Sequence, residues 1–199
     1  PIFGIISQPY TGNIWYNFKG KAWRLKKDQD LENSELIQCN QIDYNNIKIL
    51  SSFNHRSIEL ENWISVVNPV SDQDIGSSIK FCYLAEGKVD FYPRTSSTME
   101  WDIAAGHSIL KAAGGNVISH SGIEMRYGKE NFKNKNFLAC GLTNNLPCKF
   151  ILNLNNTYNE KYEIDLNLGV KALNQKELIA FPTETVYGIG ACLLYTSPS

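Results

Sequence analysis

Ser97-Thr98-Met99-Glu100-Trp101-Asp102-Ile103-Ala104-Ala105-Gly106-His107 is the stretch from which the rest of the chain can be read. Ser97 is a favourable helix N-cap, and Glu100, three residues on, completes a capping box that takes up N–H groups the helix cannot use. Trp101, Ala105, Ile109 and Ala113 then recur near helical spacing, and Gly114-Gly115 ends the run. Asp102 falls in the first turn, where free backbone N–H groups and the helix dipole favour an anion. A carboxylate held there points outward and suits a hard, oxygen-seeking cation such as Mg²⁺. Ala104, Ala105 and Gly106 are small enough to let another backbone come close. Taken alone, Asp102 reads more simply as an acidic residue that only stabilises its own helix.

The segments upstream change that balance. Asp74-Ile75-Gly76-Ser77-Ser78-Ile79-Lys80-Phe81-Cys82 puts a flexible glycine before two hydroxyls at a helix start, with Lys80 one turn past Ser77 on the same face. Backbone N–H groups, a hydroxyl and an ammonium there make an anion site, most naturally for phosphate. In Glu86-Gly87-Lys88-Val89-Asp90-Phe91-Tyr92-Pro93-Arg94, Gly87 stops the helix. Val89 and Phe91 alternate with Asp90, Tyr92 and Arg94, which predicts a short strand carrying an aromatic and a guanidinium on one side. Phosphate grip, aromatic surface, guanidinium and metal carboxylate thus follow in order from Gly76 to Asp102. That order suggests a phosphorylated, aromatic-containing ligand such as a nucleotide.

These residues carry a resemblance. Gly76-Ser77-Ser78-Ile79-Lys80-Phe81-Cys82, Ala85-Glu86-Gly87, Tyr92-Pro93-Arg94 and the Trp101 to His107 element look like the second half of bacterial 3'(2'),5'-bisphosphate nucleotidases. These belong to the inositol-monophosphatase-like, lithium-sensitive, Mg²⁺-dependent phosphatases. The Trp-Asp-x-Ala-Ala-Gly element is shared across that superfamily, whereas Gly-Ser-Ser-x-Lys-Phe with Tyr-Pro-Arg is specific to the nucleotidase branch. The resemblance covers roughly residues 1–142. It implies an α/β fold: the C-terminal portion of the inositol-monophosphatase-like layered αβαβα sandwich.

The reaction it implies is phosphomonoester hydrolysis, in which bound Mg²⁺ activates a water and neutralises the leaving oxygen. By resemblance, Asp102 is the catalytic metal ligand. Gly76, Ser77, Ser78 and Lys80 grip phosphates, and Tyr92 and Arg94 face the nucleotide. His55, in Ser52-Phe53-Asn54-His55, approaches it too, although a loop histidine without a partner is the plainer reading. The implied substrate is 3'-phosphoadenosine 5'-phosphate, a by-product of sulfate activation, cleaved to AMP and phosphate. The implied cofactor is Mg²⁺ and the implied partner is this small nucleotide, not nucleic acid. Two other readings stay open. One is an inositol or sugar phosphatase of the same fold, against which Lys80 and Arg94 speak. The other is a lobe that binds adenine nucleotides without turnover.

The remaining sequence bounds the class. The 199 residues are 43% hydrophobic and 20% charged, which suits one globular domain or one and a half. A net charge of −1 provides no field that would draw the chain to nucleic acid or an anionic membrane. Five cysteines, odd in number and without a Cys-x-x-Cys pair, suit reduced thiols. No signal peptide and no membrane-length apolar run is evident. The expected state is a cytoplasmic monomer, with peripheral attachment to the inner membrane left open. Pro1 to Ser7 reads as a buried strand, followed by strands at Asn13 to Asn17 and Lys21 to Leu25, with turns at Thr11-Gly12 and Lys19-Gly20. Trp15 and Trp23 read as sheet packing. Ile47 to Ser51 reads as a strand, Ser57 to Ser65 as a helix, and Val117 to Ser119 and Phe137 to Cys140 as further strands. Tyr127-Gly128-Lys129-Glu130 weakly resembles a nucleotidase loop near the adenine. His107 and His120 read as packing or surface residues.

Pro1 is not a natural start, so a fragment is expected. Residues 143–165 read as a polar connector. Leu173 to Ala191, with its Pro182-Thr183-Glu184-Thr185-Val186-Tyr187-Gly188 run, looks like the opening of the YrdC-like threonylcarbamoyl-adenylate synthases. Residues 166–191 would then be a truncated start of such a domain, with Thr183 and Tyr187 bordering its threonine and ATP site, and too short for activity. Residues 192–199 read as a non-native tail within a disordered or strand-like extension. The nucleotidases' other metal ligands are a glutamate pair and an Asp-Pro-Leu-Asp-Gly-Thr run, and this chain contains no Asp-x-x-Asp-Gly-Thr. One carboxylate cannot meet the octahedral demand of Mg²⁺. The chain alone is therefore expected to be nearly inactive, to expose apolar surface, and to aggregate.

Overall fold

The first strands form where turn chemistry permits a tight meander. β1 (Ile5–Gln8), β2 (Asn13–Phe18), β3 (Lys21–Leu25) and β4 (Glu35–Ile37) make an antiparallel sheet in sequence order. Phe18 pairs with Lys21, so Lys19-Gly20 is the whole loop, and both its residues have positive φ (50° and 73°). That is the two-residue hairpin whose twist matches its strands. Ile6, Trp15 and Ala22 point into the core. β1 is shorter and less covered than a buried strand: it is the sheet's edge, and Ile2, Phe3 and Ile5 are exposed. The structure is a computed structural model that describes residues 1–51, 56–119, 121–143 and 146, with the backbone alone of 179–182 and 187–190.

The strands of the second sheet are β5 (Lys48–Ser51), β6 (Ser71–Asp74), β7 (Phe91–Arg94), β9 (Asn116–Ser119) and β11 (Phe137–Cys140). They lie in the order β6-β5-β7-β11-β9. β5 runs parallel to β6 and β7, and the other pairs are antiparallel. A short pair, β8 (Thr98–Met99) with β10 (Lys133–Asn134), stands beside it.

Helix α1 (Ile58–Val67) joins β5 to β6 and is capped by Ser57, whose Oγ accepts from the Leu60 N–H at 3.2 Å. It covers one sheet face, where Leu60, Trp63 and Val67 meet Ile49, Phe91, Ile118 and Leu138. Helices α2 (Ile79–Ala85) and α3 (Glu100–Ala112) cover the other face. There Phe81, Leu84, Ile103 and Leu110 pack with Leu50, Tyr92 and Phe137, and with Trp15 and Ala22 of the first sheet. The result is four successive layers, sheet, helices, sheet, helix, an arrangement that matches the expected portion of a layered α/β sandwich. Because central strands are covered on both faces, neighbours such as Phe137 and Leu138 of β11 are both buried, and simple alternation is lost.

Close approach depends on the small residues of α3. A Cβ on Gly106 would lie 2.4 Å from the Phe81 ring, and one on Gly4 would lie 2.2 Å from the Ala105 carbonyl oxygen. At the far end of α2, Glu86 ties the layers together. Its Oε1 accepts from Trp15 Nε1 at 2.7 Å and stands 3.3 Å from Arg24 Nε.

The chain divides into two compact units, residues 1–154 and 155–199. In the second, β12 (Ile179–Pro182) and β13 (Tyr187–Gly190) form an antiparallel hairpin in which Pro182 pairs with Tyr187. Thr183, most of the connector and the 192–199 tail lie outside the described residues. Among the described residues no helix is long and apolar enough to cross a membrane.

Candidate functional site

The topology singles out one edge of the second sheet. β5, β6 and β7 are parallel and end at Ser51, Asp74 and Arg94. From β5 the chain goes to β6 through α1 on one face. It then crosses to β7, on the other side of β5, through α2 on the opposite face. Ligands of open α/β sheets bind outside the carboxyl ends of strands at such a reversal. α1 follows the end of β5, α2 the end of β6, and α3 follows β7 by way of β8, so all three helices start after this edge in the chain.

Lys80, Tyr92 and Arg94 come together there. Lys80 is only 3% exposed, and its Nζ lies 4.9 Å from the centroid of the Tyr92 ring. Burial, with the nearby Arg94 guanidinium adding to it, pushes the Lys80 amine down to about 8, while Asp74 acts in the opposite sense. Tyr92 is not an open aromatic surface: it is 5% exposed, with Phe81 and Phe137 packed edge-on at 5.5 and 5.6 Å. Burial pushes its phenol up, against the pull of Arg94. Arg94 donates from Nε to the Ser96 carbonyl at 3.3 Å. The Ser96 Oγ beside it is buried without a hydrogen-bond partner among the described residues. No motif signals Ser96, since a lone serine after a strand has no pattern of its own.

The Gly76-Ser77-Ser78 segment differs from its expected form. α2 begins only at Ile79, and Ser77 precedes it with a left-handed φ of 61°. Lys80 is therefore not one helical turn past Ser77. Ser78 is the cap position, with no side-chain bond to the helix. His55 and His120 lie outside the described residues.

Asp102 is exposed, as its outward-pointing reading required, but the capping is not done by Ser97. Thr98 and Met99 are drawn into β8 by pairing with Asn134 and Lys133, so α3 starts at Glu100. Asp102 is then the third helical residue, and its Oδ2 accepts from the Met99 N–H at 2.7 Å. Glu100 turns instead to the Gly128 and Lys129 N–H groups. Trp101, which recurs at helical spacing with Ala105, Ile109 and Ala113, is 63% exposed; the buried stripe runs through Ile103, Gly106, His107 and Leu110. His107 packs inside with its Nδ1 2.9 Å from the Tyr127 hydroxyl.

The donor set can be tested against a hard cation. Asp102 is an exposed carboxylate, oriented by one backbone N–H, with an oxygen left for a ligand. It fits one ligand position of Mg²⁺. Among the described residues, no group of three or more His, Cys, Asp or Glu side chains is placed to hold a metal ion, so Asp102 does not make a site by itself.

Residues 1–146 match the inositol monophosphatase family. The chain is 33% identical over 145 residues to the 3'(2'),5'-bisphosphate nucleotidase CysQ of Buchnera aphidicola, covering 71% of this chain and 53% of that protein. It is 33% identical over 138 residues to CysQ of Escherichia coli K12, covering 69% and 54%. Its structure is similar to the crystal structure of CysQ from Bacteroides thetaiotaomicron, a bacterial member of the inositol monophosphatase family. The TM-score is 0.62 at 31% identity, over 72% of this chain and 59% of that one. The chain spans about half the length of the curated relatives it matches. Sequence match and layered fold coincide over the same residues, and the chain belongs to the inositol monophosphatase family.

Proposed function

We propose that residues 1–146 are the substrate-gripping part of an Mg²⁺-dependent phosphatase for nucleotides phosphorylated at the 3' (or 2') and 5' positions. Its substrate would be 3'-phosphoadenosine 5'-phosphate, hydrolysed to AMP and phosphate in the cytoplasm. The observation that carries this reading is the pair of cations, Lys80 and Arg94, gathered at the switch-point edge around the buried Tyr92. Arg94 lowers the hold of Lys80 on its proton, so the two repel each other, and a polyanion relieves that repulsion. A bisphosphate answers two cations better than a polyol monophosphate does. The relatives named as bisphosphate nucleotidases support the same branch.

Asp102 would hold Mg²⁺ through a carboxylate oxygen, and the ion, when bound, supplies an activated water and charge neutralisation at the leaving oxygen. The chain's own residues bind and orient. Lys80 and Arg94 take the phosphate oxygens. Ser77 and Ser78 donate their hydroxyls, and the exposed Gly76 leaves the backbone open to a ligand. Tyr92 holds Lys80 in place from beneath. His55 stands beside the nucleotide on the strength of the resemblance alone. With Asp102 the one carboxylate read as a metal ligand, and no group of three or more metal-ligating side chains among the described residues, the chain by itself is expected to turn over the bisphosphate barely at all.

Calorimetry with AMP, with and without Mg²⁺, tests the grip. Lys80→Ala is expected to weaken binding about tenfold or more, the worth of a hydrogen bond to a charged group. Binding by the unsubstituted chain should weaken as pH rises through about 8, where the Lys80 amine loses its proton, and Lys80→Ala should lack that step. Equal affinity for inositol monophosphate and AMP would overturn the nucleotide reading. Metal-independent micromolar AMP binding without phosphate release would favour a lobe that binds and does not turn over. Robust Mg²⁺-dependent phosphate release by the purified chain would sink the expectation of inactivity.

A further inference from the structure

Glu100 is a carboxylate that the phosphatase reading leaves unused. It is nevertheless only 7% exposed and more heavily bonded than Asp102. Its Oε2 accepts from the Gly128 N–H at 2.9 Å and its Oε1 from the Lys129 N–H at 3.0 Å, and Lys129 Nζ stands 2.6 Å from Oε1. Gly128 has φ +85°, a conformation that side chains rarely adopt, and this bend aims two successive N–H groups at one carboxylate.

Neighbouring contacts run to the same segment. Thr98 pairs with Asn134 and Met99 with Lys133. The buried Asn134 also donates from Nδ2 to Thr98 Oγ1 at 3.1 Å. The rings of Trp101 and Phe132 lie 6.3 Å apart. Each of the four residues before Asp102 is thus held by residues 128–134. The Met99 N–H, inside that grip, is the group that donates to Asp102 Oδ2.

We propose that Glu100 is a positioning residue, whose clasp on Gly128 and Lys129 fixes the Met99 N–H and through it the direction of the Asp102 carboxylate. A carboxylate that loses its backbone donor samples other rotamers, and losing an outer partner of a metal ligand commonly costs 10–100-fold in metal affinity. The functional consequence rests on the reading of Asp102 as a cation ligand. The clasp does not.

The test uses amide hydrogen exchange and Mn²⁺-induced NMR line broadening on the full chain. In Glu100→Ala, exchange at Met99 is expected to speed up about tenfold while core amides of β9 and β11 keep their rates. Broadening at Ile103 should then need about tenfold more Mn²⁺, as for other outer-partner losses. Glu100→Gln, which keeps an oxygen to accept one N–H, should fall between. Lys129→Met, which keeps both backbone N–H groups, should leave Met99 unchanged. Unaltered Met99 exchange in Glu100→Ala overturns the proposal whatever the metal does. If that variant loosens the core as well, Glu100→Gln decides, and a Met99 rate equal to the unsubstituted chain's overturns it. Absence of Mn²⁺ broadening at Ile103, or its persistence in Asp102→Asn, removes the ligand reading instead and leaves the clasp to the Met99 rates.

Discussion

His107 illustrates how burial decides the chemistry of a single side chain. It is fully buried, and Nδ1 meets the Tyr127 hydroxyl. Its Nε2 has no hydrogen-bond partner among the described residues and lies 3.9 Å from Glu124 Oε1, a carboxylate also held by Lys111. Burial pushes the imidazole down to about 4, with Glu124 opposing. Between pH 6.5 and 4 the unfolded chain therefore binds a proton that the folded chain refuses. The stabilisation is complete above 6.5 and is lost as pH falls through that window. Urea unfolding at pH 7 and pH 5 should reveal a His107-dependent loss of about 2 kcal/mol. His107→Gln should flatten that step; an equal pH dependence in the variant would assign the loss to other groups. The adjacent acids Glu100 and Asp102 carry the same lesson. Spacing predicts an acidic first turn, but not which acid caps the helix and which reaches a distant loop.

Among the elements, the crossing of α2 and α3 tolerates the least change. Gly106 faces Phe81, and Phe81 is itself held by Tyr92 at 5.5 Å and Phe137 at 6.2 Å. The ring cannot withdraw from an added methyl. Gly106→Ala should destabilise the fold by about 1–3 kcal/mol through overpacking, reduced by up to about 1 kcal/mol from the better helix propensity of alanine. Gly76→Ala, where a Cβ meets nothing within 4 Å, should change stability by less than about 0.5 kcal/mol. Denaturant midpoints of the two variants check both, and equal midpoints would refute the close-packing argument. The three small residues were legible as a place of close approach. That Phe81 fills it was not, because the partner comes from another helix.

For the molecule as a whole, the outer edge of the first sheet matters most. β1 has no described partner on its far side, and Ile2, Phe3 and Ile5 stand exposed beside it without a charged residue. Such an edge is a template for pairing with another chain. Concentration-dependent light scattering is expected, and Ile5→Lys should reduce it while leaving the unfolding midpoint unchanged; scattering unaffected by the charge would locate the association elsewhere.

The sequence by itself determined what depends on near neighbours. The Lys19-Gly20 hairpin, a helix beginning near Ser57, the strand at Phe137–Cys140 and a helix with Asp102 in its first turn all follow from periodicity and turn chemistry over a few residues. The family followed from motifs of the same local kind. Tertiary structure alone decided what depends on residues far apart in the chain. Thr98 and Met99 join a strand because Lys133 and Asn134 lie beside them. Tyr92 is buried instead of open because Phe81 and Phe137 close over it. Lys80 and Arg94 become one cationic pair because β7 ends beside the first turn of α2. Hydrophobic spacing records which face of an element is covered, while the identity of the covering residue, and the burial and field it imposes, arise only when the layers pack.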